Sequence, residues 1–256
     1  MKLLAIPAFA DNYIWMLHDG CEALVVDPGD AAVVEQALAT HGLKLTAILV
    51  THHHADHIGG LAALRHHGAE VWGPATLRAQ GVTSAVLEGS ALQWCGKTFQ
   101  VLDVPGHTAS HVAYLSPAGQ VFAHPLLFCG DTLFSAGCGR VFDGTIEALH
   151  ASLLRLANLP LDTEICPAHE YTLGNLKFAQ AVEPANAAIA AYLAHCEALR
   201  RNDQPTLPST LAQELAINPF LRSQQPDVVH SAVVHGASDG SSLAVFTELR
   251  RWKNTF

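Results

Sequence analysis

Hydrophobic positions along the chain fall into short runs separated by polar turns. "YIWMLHD", "EALVVD", "LTAILV", "AEVWG", "TFQVLDV", "HVAYLS" and "LLFCGD" are rich in β-branched, aromatic and aliphatic residues and read as strands. Two helical patterns lie among them. Asp30 is placed to cap "AAVVEQALATH", which Gly42 ends, and "HIGGLAALRHH" runs to Gly68. Many strands with few helices predict an α/β fold in which two sheets are covered by helices. From about Thr172 the period changes, and "NLKFAQAVEPANAAIAAYLAHCEALRR" reads as helical, with "NDQPTLPST" as a loop between helices. The boundaries expected are therefore a strand-rich domain over 1–172 and a mostly helical C-terminal domain over 173–256.

Composition narrows the function. A 256-residue chain that is half hydrophobic can bury one substantial core with a smaller appended domain. The net charge of -9 argues against a nucleic-acid or anionic-membrane partner, so an anionic substrate would need a local basic patch. The six cysteines are scattered, with no C-x-x-C pair, and read as reduced thiols. The opening "MKLLAIPAFA" imitates a secretory signal, but Pro7 interrupts its apolar run and the segment is short for one. No run reaches the ~18 apolar residues of a membrane span. A cytoplasmic, monomeric protein is expected.

The chemistry concentrates in "VTHHHADHIGG", directly after the apolar "LTAILV". His52 and His54 alternate on an extended strand end, so both can chelate one ion while His53 points away. Asp56 and His57 follow across a turn into a helix and can face a second ion. Further candidates stand where strands end: His107 in "DVPGHTASH", Asp131 in "LLFCGDTLF" and His169 in "ICPAHEYT". Five histidines and two aspartates suit two borderline ions such as Zn²⁺, Fe²⁺ or Mn²⁺, and a carboxylate can bridge them. Packing alone gives no reason for so many imidazoles, since each buried without a partner would cost ~1–3 kcal/mol. Cys138, in "GCGRVF", has no recognisable activating base and is not taken as a nucleophile.

"THHHADH", with "VVDPGD" before it and the later His, Asp and His, resembles the metallo-β-lactamase superfamily, which implies an αββα sandwich with a metal site at one edge. The narrower resemblance is to glyoxalase II, the hydroxyacylglutathione hydrolases. It is carried in order along nearly the whole chain by "IPAFADNYIWML", "VPGHT", "GDTLFSAGCGR", "AHEYTLGNLKFAQAVEP", "INPFLR" and "LRRWK".

The resemblance implies that His52, His54 and His107 hold a first metal and Asp56, His57 and His169 a second, with Asp131 bridging. Asp56, His57 and Asp131 are thereby the catalytic set, and zinc is the first choice for both ions. Asp27 would orient a ligand, or is simply a turn aspartate before Pro28 and Gly29. His111 stays open between a partner of the ligands and a surface residue. The reaction implied is hydrolysis of S-D-lactoylglutathione and other 2-hydroxyacylglutathiones by a hydroxide shared between the ions, the second step of methylglyoxal detoxification. Arg140, Arg250 and Lys253 would bind the tripeptide carboxylates, with Tyr171 and Phe142 beside them, so the C-terminal domain would be the glutathione-binding one. Four positions depart from the family pattern: Phe142 for tyrosine, Ser110 for glycine, Cys129 for threonine and Asn254 for aspartate.

The rivals are a glutathione persulfide dioxygenase with one iron, a β-lactamase, a phosphodiesterase or RNA-processing relative, and a non-catalytic metal-binding module. The complete second ligand set and the helical tail disfavour the first. Asp131 stands where many β-lactamases carry cysteine, and the net charge disfavours a nucleic-acid substrate.

Overall fold

The computed structural model describes residues 1–256. Its first third builds one six-stranded sheet from β1 (Lys2–Ala8), β2 (Asn12–His18), β3 (Glu22–Val26), β4 (Lys44–Leu49), β5 (Glu70–Pro74) and β6 (Ser84–Val86), hydrogen-bonded in that order. Between strands run α1 (Ala31–His41), α2 (Ala55–Ile58) and α3 (Leu61–Leu64). The chain then makes β7 (Ala91–Trp94), β8 (Lys97–Asp103), β9 (Val112–Ser116), β10 (Leu126–Gly130), the small hairpin β11 (Leu133–Phe134) and β12 (Gly137–Cys138), and α4 (Ile146–Leu156). It finishes with β13 (Glu164–Pro167), α5 (Thr172–Val182), α6 (Ala187–Arg201), β14 (Ser209–Thr210), α7 (Leu211–Ile217), α8 (Pro226–His235) and α9 (Ser242–Thr255). The second sheet has the order β14-β13-β10-β9-β8-β7.

Alternation within single strands explains the continuous apolar runs. Tyr13, Trp15 and Leu17 of β2 face the core between the sheets, while Ile14 and Met16 face the core beneath α1. In β10, Leu126 and Phe128 enter the inter-sheet core, and Leu127 and Cys129 pack toward α4, α8 and α9. Both faces of these strands are covered, so both sets of side chains are apolar. Helix, sheet, sheet, helix is the layered α/β architecture expected, and each fully buried aliphatic or aromatic side chain in it contributes about 1.5–3 kcal/mol.

Several elements differ from the sequence reading. "HIGGLAALRHH" is not one helix: it breaks at Gly59–Gly60 into α2, α3 and a 3₁₀ turn at Arg65–His67. The break follows from close backbone approach, because a Cβ on Gly60 would meet the Pro28 carbonyl and one on Gly59 the Gly29 carbonyl. "NLKFAQAVEPANAAIAAYLAHCEALRR" is likewise split into α5 and α6, since Pro184 cannot continue α5 and Asn186 caps α6 through the amide of Ala188. The loop "NDQPTLPST" contains β14, whose Ser209 and Thr210 pair antiparallel with Ile165 and Glu164 of β13. β1, β6, β7 and α4 were not anticipated. The opening segment that imitates a signal forms β1, paired along its length with β2. Reduced thiols are as expected, with all six cysteines free. No helix is long and apolar enough to cross a membrane.

Candidate metal centre

The strand ends that carry the candidate ligands converge on one edge of the two sheets. β4 leads through Val50 and Thr51 into the extended His52–His54 segment, and His54 sits with extended backbone just before α2. His107 lies in the loop after β8, Asp131 directly follows β10, and His169 lies two residues beyond β13. The edges are joined across the centre by the Tyr13 amide, which donates to the Ala168 carbonyl at 2.7 Å. Gly130, at φ 49°, admits no side chain because a Cβ there would strike Thr51 Oγ1 and the His111 ring.

All seven residues expected as ligands come together, in two groups. His54 Nδ1 lies 3.0 Å from His52 Nε2 and 3.1 Å from His107 Nε2, and Asp131 Oδ2 lies 3.4 Å from His107 Nε2. In the second group, Asp56 Oδ2 is 3.4 Å from both His57 Nε2 and His169 Nε2. Asp131 turns its other oxygen to that group, with Oδ1 3.5 Å from His57 Nε2 and 3.4 Å from His169 Nε2. His53 belongs to neither group and is partly exposed, as its alternate strand position predicts.

Four of the five imidazoles have the ring nitrogen opposite the cluster tied down. His52 Nδ1 meets Thr51 Oγ1 at 3.0 Å, His107 Nδ1 donates to the Arg140 carbonyl at 2.7 Å, His57 Nδ1 meets Asp27 Oδ2 at 3.0 Å, and His169 Nδ1 meets Asp11 Oδ1 at 2.8 Å. These bonds aim each Nε2 at the cluster, the arrangement by which outer partners orient metal-binding imidazoles. His57 Nε2 and Asp131 Oδ1 are buried without a hydrogen-bond partner. A cation between them would satisfy both, and the oxygen and nitrogen donor set fits a borderline divalent ion.

Asp27 fulfils both of its readings. It makes the turn before Pro28 and Gly29, and its carboxylate holds His57 and accepts from the Thr51 amide at 2.7 Å and the Thr51 hydroxyl at 2.7 Å. His111 is a buried partner, not a surface residue: its Nε2 accepts from the Asp131 amide at 3.1 Å and its ring stacks on His52. Asp11, Asn12 and Thr51 were missed, although the first two lie in the quoted "FADNYIW". Asn12 Nδ2 donates to Asp56 Oδ2 at 2.9 Å. A polar pair at a β1–β2 turn looks like ordinary turn chemistry until its distance to Asp56 and His169 is known.

The two groups differ in charge. Burial holds His52, His54 and His107 neutral, each below the usual imidazole range, and it lowers His111 to about 3. Burial also opposes charge on His57 and His169, but the surrounding carboxylates win and raise both, His169 to about 10. Asp131 and Asp56 are depressed against their desolvation by these histidines. A raised folded-state pKa contributes stability that is full below the unfolded value of ~6.5 and lost as pH rises through the folded value. Metal-free protein is therefore expected to lose thermal stability between about pH 6.5 and 10. Metal loading at pH 7 should release about two protons from the second group, read by calorimetry in buffers of different ionisation heat. Loading without proton release would contradict this charge assignment.

The comparisons with known proteins agree with the site. Residues 9–169 match the metallo-beta-lactamase superfamily model and residues 170–256 match the hydroxyacylglutathione hydrolase C-terminus model. The chain is 54% identical over 257 residues to the hydroxyacylglutathione hydrolase of Albidiferax ferrireducens, covering 100% of both proteins. The chain belongs to the hydroxyacylglutathione hydrolase family. Among solved structures it resembles ETHE1 from Myxococcus xanthus, with a TM-score of 0.66 at 24% identity, covering 98% of this chain and 90% of that one. It also resembles TTHA1623 in a di-iron-bound form, with a TM-score of 0.58 at 26% identity, covering 86% of this chain and all of that one. The fold of the superfamily and the His/Asp cluster together fit a dinuclear metal site.

Beside the cluster opens a cavity of about 720 Å³, lined by His54, Asp56, His107, Asp131 and His169 at one end and by residues of α5 and α9 at the other. The five positions that the hydrolase family pattern assigns to substrate all line it. Arg140 is exposed at its rim, Phe142 stands edge-on to His54 and His107, and the Tyr171 ring stacks on His169 at 4.7 Å. Lys253 Nζ donates to the Gly174 carbonyl at 3.2 Å and lies over the Phe178 and Phe256 rings. Arg250, expected as a carboxylate ligand, lines the cavity but is already hydrogen-bonded within the chain. It is 4% exposed, and its Nη1 donates to the Cys138 carbonyl at 2.8 Å while Nη2 donates to Asn254 Oδ1 at 3.1 Å. These bonds hold Arg250 against the loop that carries Arg140, while its Nε has no hydrogen-bond partner. Cys138 is buried and its thiol is pushed up, first by burial, in line with its exclusion as a nucleophile.

Proposed function

We propose that the protein hydrolyses S-D-lactoylglutathione and other 2-hydroxyacylglutathiones to glutathione and the free hydroxy acid. The observation that carries this reading is Asp131, whose two carboxylate oxygens face two separate ligand groups at the end of a cavity with cations at its far side. His52, His54 and His107 would hold one divalent ion, Asp56, His57 and His169 the other, and Asp131 both. Zinc is the first choice, with iron or manganese acceptable to the same donors. Two metals in a homologous fold have a precedent in TTHA1623, solved with two irons.

When bound, the two ions supply a water-derived nucleophile near neutral pH and polarise the thioester carbonyl. The chain's own contribution is positional. Thr51, Asp27, Asp11 and the Arg140 carbonyl fix the imidazoles, and His111 fixes the backbone of Asp131. The leaving thiolate, with a parent pKa of about 8.5, needs no dedicated acid. Arg140 and Lys253 attract the glutathione carboxylates, Tyr171 and Phe142 flank the acyl end, and Arg250 shapes the wall. On this reading residues 1–172 carry the chemistry and, with Arg140, Phe142 and Tyr171, part of the recognition, and 173–256 add Lys253 and the wall shaped by Arg250, in a cytoplasmic monomer.

The deciding experiment is thioester loss from S-D-lactoylglutathione with metal content measured on the same sample. Turnover that tracks two metals per chain is expected. Full metal loading without turnover would overturn the reading, and oxygen uptake on glutathione persulfide would then replace it. Burial, followed by Arg250 and Arg140, lowers Lys253 to about 8. Its charge, and with it substrate affinity, is therefore lost as pH rises through that value. Lys253→Ala should raise KM about tenfold with kcat kept, because the contact is remote from the reacting bond. Wild-type KM should rise above pH 8 and that rise should vanish in Lys253→Arg.

A further inference from the structure

Outside the cavity, one other group of side chains has the geometry of a metal site. Glu35 on α1 and His66 and His67 on the 3₁₀ turn after α3 bring three ligand atoms within 4.8 Å of one another. Both Nε2 atoms converge on a single carboxylate oxygen, with His67 Nε2 2.9 Å and His66 Nε2 3.4 Å from Glu35 Oε1. The rings lie side by side, centroids 4.1 Å apart at 37°. Tetrahedral zinc with bonds of ~2.0–2.1 Å separates its ligand atoms by roughly 3.3 Å, close to both spacings.

The tautomer of His66 strengthens the case. Its Nδ1 meets the Ala63 carbonyl at 2.9 Å, and a carbonyl can only accept, so the ring proton of neutral His66 is on Nδ1. In that tautomer its Nε2 turns a lone pair toward the Glu35 carboxylate. Two lone pairs facing each other at 3.4 Å repel, and a shared cation removes the repulsion. The neighbouring Arg65 does not fill this role, because its guanidinium lies near Gly81. His67 is mostly buried, with its side chain 18% exposed, and Glu35 is partly covered, so two of the three donors are held before any ion arrives.

We propose that Glu35, His66 and His67 form a third divalent-metal site, selective for borderline ions such as Zn²⁺ and completed by water at its open position. The ion would tie α1 to the turn after α3. The site is distinct from the dinuclear cluster and does not depend on the reading given for that cluster.

The test uses the metal-loaded full chain, dialysed to equilibrium against micromolar Zn²⁺ and assayed for bound zinc and for thioester hydrolysis on the same samples. Wild type is expected to hold one zinc more than Glu35→Ala and one more than His67→Ala, with hydrolysis unchanged in both variants. His66→Gln, which leaves the other two donors in place, should weaken that extra zinc at least about tenfold. Equal zinc in wild type and all three variants would overturn the proposal. Failure of the dinuclear reading would instead appear as fewer than three zincs in wild type and fewer than two in the variants, or as no hydrolysis in any of them, with the difference between wild type and variants still readable. A folded fraction equal by circular dichroism separates loss of the site from loss of the fold.

Discussion

Asp131→Ala is expected to abolish metal binding at the dinuclear cluster and to cut thioester hydrolysis by at least about 10³-fold. The size of the effect follows from position. Asp131 is the one carboxylate whose two oxygens reach both ligand groups, Oδ2 toward His107 and Oδ1 toward His57 and His169. Without it, the raised His57 and His169 keep only Asp56 as a shared counter-charge and the two groups lose their common wall. Metal analysis of the purified variant should show fewer than two ions per chain, with activity falling in step. His53→Ala is the control, since that imidazole is partly exposed and outside both groups. Equal damage from the two substitutions would undo the ligand assignment.

The second large effect is expected from Asp27, which touches no candidate ligand except His57. Asp27→Ala leaves three donors without their acceptor: His57 Nδ1, the Thr51 hydroxyl and the Thr51 amide, all buried. Each costs about 1–3 kcal/mol when stranded, and losing an orienting partner typically costs 10–100-fold in metal affinity. Chemical denaturation and zinc titration of the same variant should therefore both move. Asp27→Asn separates the causes. Asparagine also tolerates the φ of 52° found at this position, and it keeps an acceptor for Thr51 while removing one of the charges that, with Asp131, raise His57. Metal affinity that is unchanged in Asp27→Ala would show that His57 needs no such support.

The candidate ligands were legible in the sequence because their spacing carries geometry. The alternation of His52 and His54 about His53, and the placement of His107, Asp131 and His169 after apolar runs, survive directly in the folded chain. What the sequence concealed is pairwise distance. Asp11 and Asn12 occupy an ordinary-looking turn, and only the pairing of Asn12 with His169 across the sheet edges brings them to the site. The tethering of Arg250 within the chain was hidden because its basic tail carries no sign of the two carbonyls, more than a hundred residues earlier, that it binds. β14 and the break at Gly59–Gly60 were hidden for the same reason, since each depends on a distant partner: β13 in one case, Pro28 and Gly29 in the other.

The candidate ligands are drawn from the ends of strands in both sheets, so no unfolded or half-docked chain can present them together. An ion held there binds only the assembled protein, and by mass action each tenfold rise in free metal above its dissociation constant adds about 1.4 kcal/mol against opening. Scarcity of metal would thus do more than slow turnover. It would shorten the lifetime of the protein itself, so that a cell starved of the ion would lose the enzyme to heat and proteolysis as well as losing its catalysis.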